Sequence, residues 1–487
     1  MGRSALRSVN LLVEVLACTV LDLTPTETAA GGTLMTSLDQ AHLADLSARF
    51  SGVLLQAGDS GYDNARRIHN GMIDRRPALI ARCLNTADIA DAVNFARARG
   101  LELAVRGGGH NVAGRAVCDG GLMLDLSLMK GVQVDPVRRT ARAQGGVTWR
   151  EFNRETQLHG LATTGGVIST TGIAGLTLGG GLGWLMAKHG LAMDNLLSAE
   201  VVTASGEVIR ASNDENGDLF WALRGGGGNF GVVSRFEYRL HPVGLVTSGL
   251  TAFPFERARD VLKFFREITS ALSDDLTIFA GLLHAPDGAR LAVILACHCG
   301  SPGEGEAALR PVKKFGVPVM DTIGPATYEA TNTMLDAGFP RGALNYWKSS
   351  LIGELNDQSI DTLISQFAGC PSPMSALVLE HIHGAAARIG VSDTAFPHRR
   401  EGYQLLVVSQ WLDPAENARN IAWARESYDA MRPHFASGRY VNYLGEDEGE
   451  DAVEAAYGPN YQRLRALKAK YDPANLFHLN QNIPPGS

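Results

Sequence analysis

Three glycine-rich loops lie between residues 106 and 231 of this chain, and they limit the folds that the sequence can adopt. They span residues 106–114, 165–183 and 225–231, and the whole chain has 55 glycines among 487 residues, against roughly 7% in average usage. Because glycine lacks a Cβ, its backbone can approach a ligand, and successive N–H groups in such turns form concave anion sites. One such loop alone is more typical of tight packing, but three together favour a bound anionic cofactor.

The first loop also carries two side chains that tight packing does not require, Arg106 and His110. No loop ends in Gly-Lys-Ser/Thr, as a P-loop would. Residues 179–183 are close to the dinucleotide fingerprint in letters only, because that fingerprint needs a strand, GxGxxG and a helix, with an acidic residue about 20 positions on. A neutral histidine in the loop is either a nucleophile or a hydrogen-bonding group in a crowded turn. The residues by themselves leave both interpretations open.

Length and charge exclude several classes of protein. A chain of 487 residues is expected to form two or three domains or lobes. Its net charge of −7 gives no attraction to nucleic acid, and no run of 18 apolar residues predicts a membrane span. The six cysteines form no CxxC pair, so we expect neither a disulfide framework nor a metal site. Cys297, His298 and Cys299 lie in a predicted strand, where successive side chains point to opposite faces.

The N-terminus is unusual. An apolar stretch over residues 11–23 follows Arg3 and Arg7 and resembles a short signal sequence, although Glu14 interrupts it. Met35 also resembles a natural start, so an extension without a role in the fold is an equal alternative. The expected location is the cytoplasm, with export as the alternative.

Local patterns predict an alternation of helices and strands. A helix is expected over 86–99 with Thr86 as its N-cap and Gly100 at its end, followed by a strand over 101–105. Ser205-Gly206 predicts a hairpin turn. After residue 245 the pattern predicts several antiparallel strands covered by helices on one face. Those strands are expected at 276–283, 291–299, 376–382 and 403–411, and the helices at 255–272 and 415–431.

The chain resembles the FAD-linked oxidases of the vanillyl-alcohol oxidase superfamily, in particular the berberine bridge enzyme-like subgroup. The matching motifs are residues 105–111 (Val-Arg-Gly-Gly-Gly-His-Asn), 165–175, 178–183, 228–233, 396–399, 472–477 and 481–485. They occur in the family's order and cover both ends of its architecture. The resemblance implies an α+β, two-lobed FAD-binding fold of the PCMH type with an inserted antiparallel-sheet and helix substrate domain.

This resemblance also implies domain boundaries. Residues 1–40 form an N-terminal extension, with disorder as one interpretation, and residues 41–245 form the FAD-binding domain. Residues 246–435 form the substrate-binding domain, and residues 436–487 form a berberine-bridge-like segment that returns to the FAD-binding domain.

By resemblance, His110 forms a covalent bond to the 8α carbon of FAD. The glycine loops cradle the diphosphate and the ring, Val233 lies near the adenine or ribose, and two tail asparagines lie near the flavin. The further cofactor residues so implied are Arg106, Gly107, Gly108, Gly109, Asn111, Gly114, Gly166, Val167, Thr170, Thr171, Gly172, Gly175, Gly180, Gly181, Gly183, Asn480 and Asn482.

The sequence departs from the family pattern at two positions. Many relatives carry a second covalent link through a cysteine whose place is taken here by Ile168, which cannot form a thioether. We therefore predict a single attachment, as in the hydroxynicotine oxidase type. Leu182 replaces a tyrosine found in several bicovalent members, which removes one candidate acid/base group.

Three residues are the catalytic candidates. In the family a base often takes a proton from the substrate's O–H or N–H, and the matching tyrosine is Tyr440, with Tyr443 close by. Glu380 lies on the predicted strand at 376–382, where His381 and His383 share the opposite face. Either face could line the substrate pocket, so the histidines stay as alternatives. Two strand aromatics packing against the substrate lobe are the structural alternative for the tyrosines.

The resemblance predicts an oxidase acting on a C–H bond next to an alcohol or amine of a small natural product or sugar. The small Thr171 stands where a bulky family residue blocks oxygen, which favours O2 as acceptor and H2O2 as product. A dehydrogenase with another acceptor and a non-catalytic flavin-binding or ligand-binding protein are the alternatives. The expected partners are the small-molecule substrate and O2, and the chain is expected to be a monomer or homodimer.

Overall fold

The computed structural model describes residues 40–486, so the predicted N-terminal leader or extension lies outside the described residues except for Gln40. The first sheet is formed by β1 (Val53–Leu55), β2 (Leu79–Arg82), β3 (Leu103–Arg106) and β4 (Leu122–Asp125), in the order β1-β2-β4-β3. Helices α1 (Gln40–Arg49), α2 (Tyr62–Arg66) and α3 (Thr86–Arg99) accompany it. β3 and β4 are parallel, and their register places Arg106 opposite Asp125.

The predicted helix at 86–99 is confirmed, but its predicted cap is wrong. The N-cap is Asn85, whose side-chain oxygen accepts a hydrogen bond from the Asp88 N–H at 2.9 Å. Thr86 is already the first helical residue, and its hydroxyl donates to Glu200 instead at 2.8 Å. Asparagine is at least as good an N-cap as threonine. Gly100 ends the helix in the left-handed region, with φ of +61°, as predicted.

A second, antiparallel sheet follows, in the order β5-β6-β10-β8-β9. Its strands are β5 (Val132–Asp135), β6 (Thr140–Gln144), β8 (Leu196–Val202), β9 (Val208–Ser212) and β10 (Val232–Arg239), while β7 (Leu161–Ala162) pairs with β11 (His241–Pro242). Helices α4 (Trp149–Gln157), α5 (Ile173–Leu178), α6 (Met186–His189) and α7 (Gly217–Leu223) connect them. The predicted hairpin is confirmed, because β8 and β9 pair antiparallel around Gly206, which has φ of +81°.

The third sheet is larger and wholly antiparallel, in the order β15-β12-β14-β13-β18-β19-β17, with β16 pairing β12. Its strands are β12 (Val246–Pro254), β13 (Leu276–His284), β14 (Arg290–His298), β15 (Met320–Asp321), β16 (Gly324–Ala326), β17 (Leu344–Ile352), β18 (Ala376–Ile382) and β19 (Gly402–Trp411). The associated helices are α8 (Ala258–Thr269), α9 (Pro302–Lys314), α10 (Tyr328–Thr333), α11 (Asp357–Ala368), α12 (Ala385–Arg388) and α13 (Asn417–Met431).

The two faces of this sheet pack against different partners. Ile278, Ile294 and Leu405 form an apolar core with helices α8, α11 and α13. Phe279 and Val293, from the opposite face, pack with residues that follow the second glycine loop. The predicted antiparallel sheet with helices on one face is therefore confirmed.

The C-terminal segment returns to the first part of the fold. It contains α14 (Glu450–Tyr457) and α15 (Tyr461–Tyr471). Beyond them, Phe477 packs in one core with Leu103 and Val232. Asn229 donates from Nδ2 to the Gln481 carbonyl at 3.1 Å and accepts the Ile483 N–H at 2.9 Å.

Short 3-10 turns occur at Ala192–Asn195, Phe255–Arg257, Asp336–Gly338, Pro414–Glu416, Arg432–His434, Val441–Tyr443 and Gly458–Asn460. No helix among residues 40–486 is long and apolar enough to cross a lipid bilayer.

The register of β3 and β4 generates a stability prediction. Arg106 and Asp125 are both buried, and removing one member of a buried ion pair leaves the other charge without a partner. We expect Asp125→Ala to lower the free energy of unfolding by about 3–5 kcal/mol, measured by urea denaturation. The control is Asp429→Ala, which removes an exposed pair with Arg432 and should cost less than about 1 kcal/mol. Equal losses would show that the buried pair has no special weight.

Candidate active site

A cleft lies where the C-terminal segment meets the first part of the fold. The predicted cofactor residues Gly107, Asn111, Gly175, Val233 and Asn480 line it. The other lining residues are Leu103, Val105, Arg115, Ala116, Leu126, Ala174, Leu178, Gly227, Gly228, Gly231, Val232, Val441, Asn442, Tyr457, Phe477, Leu479 and Gln481. All three glycine loops and the C-terminal tail therefore meet at one cleft.

The first loop is held at its start by Arg106. Its guanidinium donates to Asp125 from Nε at 2.8 Å and from Nη2 at 2.5 Å, and Nη1 donates to the Ala65 and Arg67 carbonyls. Burial alone would raise the pKa of Asp125, but Arg106 and the Ser127 donors hold it below its usual value. Because every guanidinium nitrogen of Arg106 is bonded within the protein, its side chain positions the loop. The cofactor contact predicted for Arg106 stays a prediction, and these bonds favour its backbone for that contact.

The first and second loops touch through glycine backbones. A Cβ on Gly108 would lie 2.4 Å from the Gly172 nitrogen, and a Cβ on Gly172 would lie 2.4 Å from the Gly108 nitrogen. No other residue type fits at either position without moving the backbone. Gly109 and Gly114 have φ of +68° and +72°, which also favour glycine. These glycines bring the two loops together.

His110 follows this contact and has an unusual environment. Its ring stacks on His69 with 3.9 Å between centroids and 17° between planes. Burial, with a contribution from His69, lowers the pKa of His110 to about 3. Its Nε2 is buried without a hydrogen-bond partner among the described residues. The imidazole is therefore neutral at physiological pH, with a nitrogen available for a bond.

The second loop contains both cleft-facing and packed glycines. Gly175 is exposed, and a Cβ added to it would have no other atom within 4 Å. Gly183 packs on Gly165, since its Cβ would lie 1.6 Å from the Gly165 carbonyl oxygen. Gly166 would press a Cβ on Leu176, at 2.9 Å. The cofactor contacts predicted for Gly166 and Gly183 stay predictions, because packing already accounts for these glycines.

Three side chains of this loop point in different directions. Thr170 is exposed, Thr171 is half-buried, and Val167 packs against the apolar cluster that contains Leu182 and Phe279. Their predicted cofactor contacts remain untested. In the tail, the Oδ1 atoms of Asn480 and Asn482 are buried without partners among the described residues, which leaves acceptors for a ligand.

Tyr440 is held by the second loop. Its hydroxyl oxygen accepts hydrogen bonds from the Gly181 N–H at 3.0 Å, the Leu182 N–H at 3.4 Å and Asn442 Nδ2 at 2.9 Å. Gly180 and Gly181 have φ of +133° and +97°, a backbone path that other residues rarely adopt. Burial raises the pKa of Tyr440 to about 12, although these three donors oppose the shift. The phenol is therefore neutral at physiological pH.

Tyr443 connects Tyr440 with Glu380. The two tyrosine rings meet edge-to-face with 4.8 Å between centroids, and the Tyr443 hydroxyl donates to Glu380 Oε1 at 3.1 Å. Glu380 is 2% exposed, and its Oε2 has no partner among the described residues. Burial raises the pKa of Glu380 to about 8, while the bond from Tyr443 lowers it. The three predicted catalytic residues thus form one contact chain.

Strand alternation decides which face of β18 belongs to the site. Glu380 shares its face with Val378, which packs beside Tyr443 and Trp347. His381 points to the opposite side and packs on Tyr403, with 5.2 Å between ring centroids, and Tyr403 belongs to the helix-covered core. His383 Nε2 hydrogen-bonds the Leu276 carbonyl at 2.9 Å. The histidine face that the sequence left open is therefore the helix-covered face.

The third sheet's connections also clamp the second loop. Asn332 donates to the Gly166 carbonyl at 2.5 Å. Asp336 accepts the Ser169 N–H at 2.8 Å and the Ser169 hydroxyl at 2.6 Å, and it pairs with Arg150 at 2.7 Å. These bonds hold the segment in which Ile168 replaces the family's cysteine. Ile168 itself is buried.

Among the cleft-lining residues that sequence reasoning missed are Arg115, Asn442 and Tyr457. Asn442 was within reach, because it is the asparagine of the Tyr-x-Asn pattern that begins at Tyr440. Arg115 lies five residues after His110, and only the turn through Gly114 brings it to the cleft. Tyr457 lies on a helix of the C-terminal segment and carries no local signal.

The chain matches known proteins over nearly all of the described residues. Residues 77–212 match the FAD binding domain family, and residues 439–484 match the family described as berberine and berberine like. The (R)-6-hydroxynicotine oxidase of Paenarthrobacter nicotinovorans is 32% identical over 89% of this chain and 97% of its own length. An FAD-linked oxidoreductase of Dictyostelium discoideum is 31% identical over 89% and 95% of the two chains.

Solved structures agree with these matches. The crystal structure of 6-hydroxy-D-nicotine oxidase from Arthrobacter nicotinovorans superimposes with a TM-score of 0.83 at 31% identity, covering 90% of this chain and 98% of that one. A chitooligosaccharide oxidase gives 0.81 at 25% identity, covering 92% and 100%. The chain belongs to the berberine bridge enzyme-like FAD-linked oxidoreductases. The predicted family, the PCMH-type two-lobed fold and the prediction of an FAD-dependent enzyme are confirmed.

The environment of Glu380 generates a prediction about stability and pH. Because its pKa rises from an ordinary value near 4.3 to about 8 on folding, the folded protein keeps a proton that the unfolded chain releases. Stability should therefore fall as the pH rises from about 5 to about 8. We expect Glu380→Gln to have nearly the wild-type Tm at about pH 5 and a higher Tm at about pH 9. Equal Tm differences at both pH values, measured by thermal unfolding, would contradict the shift.

Proposed function

We propose that this FAD-linked oxidoreductase is an oxidase that removes a hydride from a C–H bond next to a hydroxyl or amine of a small organic substrate. FAD, held by the glycine loops and the tail that line the cleft, would supply the two-electron oxidation, with O2 as the final acceptor and H2O2 as the product. One observation carries the proposal. Asn442 lines the cofactor cleft and bonds Tyr440, and Tyr440 leads through Tyr443 to Glu380.

The side chains at the cleft fit FAD. Unpartnered buried acceptors at Asn480 and Asn482 and open glycine backbone at Gly175 match a ligand rich in hydrogen-bonding groups. The neutral Nε2 of His110 is suited to covalent attachment. We propose that His110 is the single covalent link, since Ile168 has no reactive group. The hydrogen bond that Asn332 donates and the one that Asp336 accepts would hold the Ile168 loop in place without a second link.

Glu380 is the proposed proton acceptor. Its Oε2 is free, and a pKa of about 8 leaves part of the population ionised near neutral pH, as a base requires. Tyr443 orients the carboxyl through Oε1. Tyr440, whose oxygen is surrounded by three donors, anchors the turn at Gly181 and keeps Tyr443 in position. This proposal assigns the role of base to Glu380 rather than to Tyr440.

We propose that residues 246–435 form the substrate-binding domain and favour a flat, largely apolar substrate. Beside Tyr443 lie Trp347, Leu406 and Val408, together with Val112 from the first glycine loop. This buried apolar cluster beside Tyr443 favours an aromatic alcohol or amine, such as the compound named in the hydroxynicotine oxidase relative, over an oligosaccharide. O2 as acceptor is consistent with the small side chain of Thr171.

The covalent link has a direct test. Wild-type protein denatured and separated by SDS–PAGE should keep its flavin fluorescence, and His110→Ala should lose it while still binding FAD in the native state. His159→Ala, an exposed histidine on the same domain, serves as the matched control and should keep the fluorescence. Flavin that separates from the denatured wild type would disprove the attachment.

The reaction is tested by adding aromatic amines and alcohols to the protein without oxygen. A substrate should bleach the visible flavin absorbance, with a rate that increases as the pH rises through about 8. Glu380→Gln should slow the bleaching by about 10²- to 10⁴-fold and remove this pH dependence. The exposed Glu401→Gln is the control and should behave as wild type.

Admitting air then separates the possible acceptors. Rapid recovery of the absorbance with release of H2O2 supports the oxidase, whereas recovery only with an added dye would identify a dehydrogenase. If no donor bleaches the flavin, the protein binds FAD without catalysing oxidation, and the proposed function is wrong.

A further inference from the structure

Arg115 is the one charged side chain among the described residues that line the cofactor cleft. The other lining residues are glycines, apolar residues, amides and Tyr457. It directly follows Gly114, the last residue of the first glycine loop, whose φ of +72° turns the chain. A cleft with a single cation and no carboxylate in its lining favours an anionic ligand.

The guanidinium of Arg115 has no hydrogen-bond or ion-pair partner in the part of the chain that the structure describes. It is half-buried and makes no hydrogen bond or ion pair to a residue in 40–486, and its Nε is shielded from solvent. The backbone N–H of Arg115 is its one hydrogen-bonding contact, with Asn111 Oδ1 at 3.5 Å. The nearby carboxylate of Glu446 is bound by Arg75 instead. By contrast, all guanidinium nitrogens of Arg106, at the start of the first glycine loop, make hydrogen bonds within the protein.

Leaving a half-buried charge without a partner is costly. Burial lowers the pKa of Arg115, Glu446 opposes this effect and Arg75 adds to it. A guanidinium is suited to bind phosphate through two parallel hydrogen bonds, and these charge-assisted bonds are about twice as strong as neutral ones. A phosphate bound to Arg115 would therefore offset the free-energy cost of burying this charge without a partner.

The charges of FAD identify the part that fits. In the oxidised cofactor, the diphosphate is the portion with formal negative charge, while the ring, ribityl chain and adenosine are neutral. We propose that Arg115 binds the FAD diphosphate and selects FAD over uncharged flavins such as riboflavin. This inference rests on the proposed FAD site in the cleft, where the backbones of Gly107 and Gly228 complete the lining.

The test uses the full-length His110→Ala protein, from which flavin can be removed. FAD and riboflavin are titrated separately, and binding is measured by the change in flavin fluorescence. Adding Arg115→Ala should weaken FAD binding about 10- to 100-fold and riboflavin binding less than about 3-fold, whereas Arg115→Lys should retain part of the FAD affinity. Arg154→Ala, an exposed arginine on α4, is the matched control and should change neither affinity.

Each other outcome is decisive. Unchanged FAD affinity in Arg115→Ala, or an equal loss for riboflavin, would overturn the role of Arg115 and leave the FAD site intact. Failure of the His110→Ala parent to bind either flavin would instead overturn the FAD site.

If the stripped protein does not stay folded, FAD release is measured during dialysis of the flavin-loaded variants. Rising NaCl should speed release from the His110→Ala parent, because salt screens the ion pair. Release from the Arg115→Ala variant should be fast already and depend little on salt. Equal rates and equal salt dependence in the two proteins would overturn the proposal.

Discussion

The buried ion pair between Arg106 and Asp125 is the constraint on which the site depends. The parallel register of β3 and β4 places the two residues side by side, and the pair fixes the point at which the first glycine loop leaves the sheet. The positions of the following loop residues, including His110, therefore depend on this pair. The contact between Gly108 and Gly172 then transmits the position to the second loop. A side chain at either glycine would separate the two walls of the cleft.

Burial affects the charge states of three polar residues, His110, Glu380 and Arg115, in different ways. His110 and Glu380 both lose charge when buried, so the first becomes a neutral imidazole and the second a carboxyl that titrates near pH 8. Arg115 keeps its charge, but its side chain has no hydrogen-bond or ion-pair partner among residues 40–486. Each of these groups is costly in an isolated fold. The proposed roles account for this cost: His110 forms a covalent bond, Glu380 transfers a proton and Arg115 binds a phosphate.

The second glycine loop is held by hydrogen bonds on both sides. The N-terminus of α4 bonds it through Trp149 and Arg150, whose backbone N–H groups donate to the Thr171 and Ser169 carbonyls. Asp336, in the insertion that follows α10, bonds it from the other side. Residues in the connections of the third sheet therefore help to position a loop that lines the cleft.

Residues close together in the sequence were predicted well. The helix at Thr86–Arg99, the β8–β9 hairpin and the glycine loops all depend on local spacing and turn chemistry, and the motif order implied the FAD-binding fold. Thr86 was wrong as a cap because its neighbour Asn85 competes for the same N–H group. The sequence by itself thus determined the elements, the family and the candidates His110, Tyr440 and Glu380.

Only the tertiary structure decided how these candidates are used. Alternation along β18 creates two faces, and which face meets the cleft depends on helices that are distant in the chain, so Glu380 could be separated from His381 only by packing. The same holds for Arg106 and Arg115, at the start of the first glycine loop and directly after its end. Arg106 pairs with a carboxylate on the neighbouring strand, whereas Arg115 has no partner among the described residues, because hydrogen-bond partners come from residues far apart in sequence.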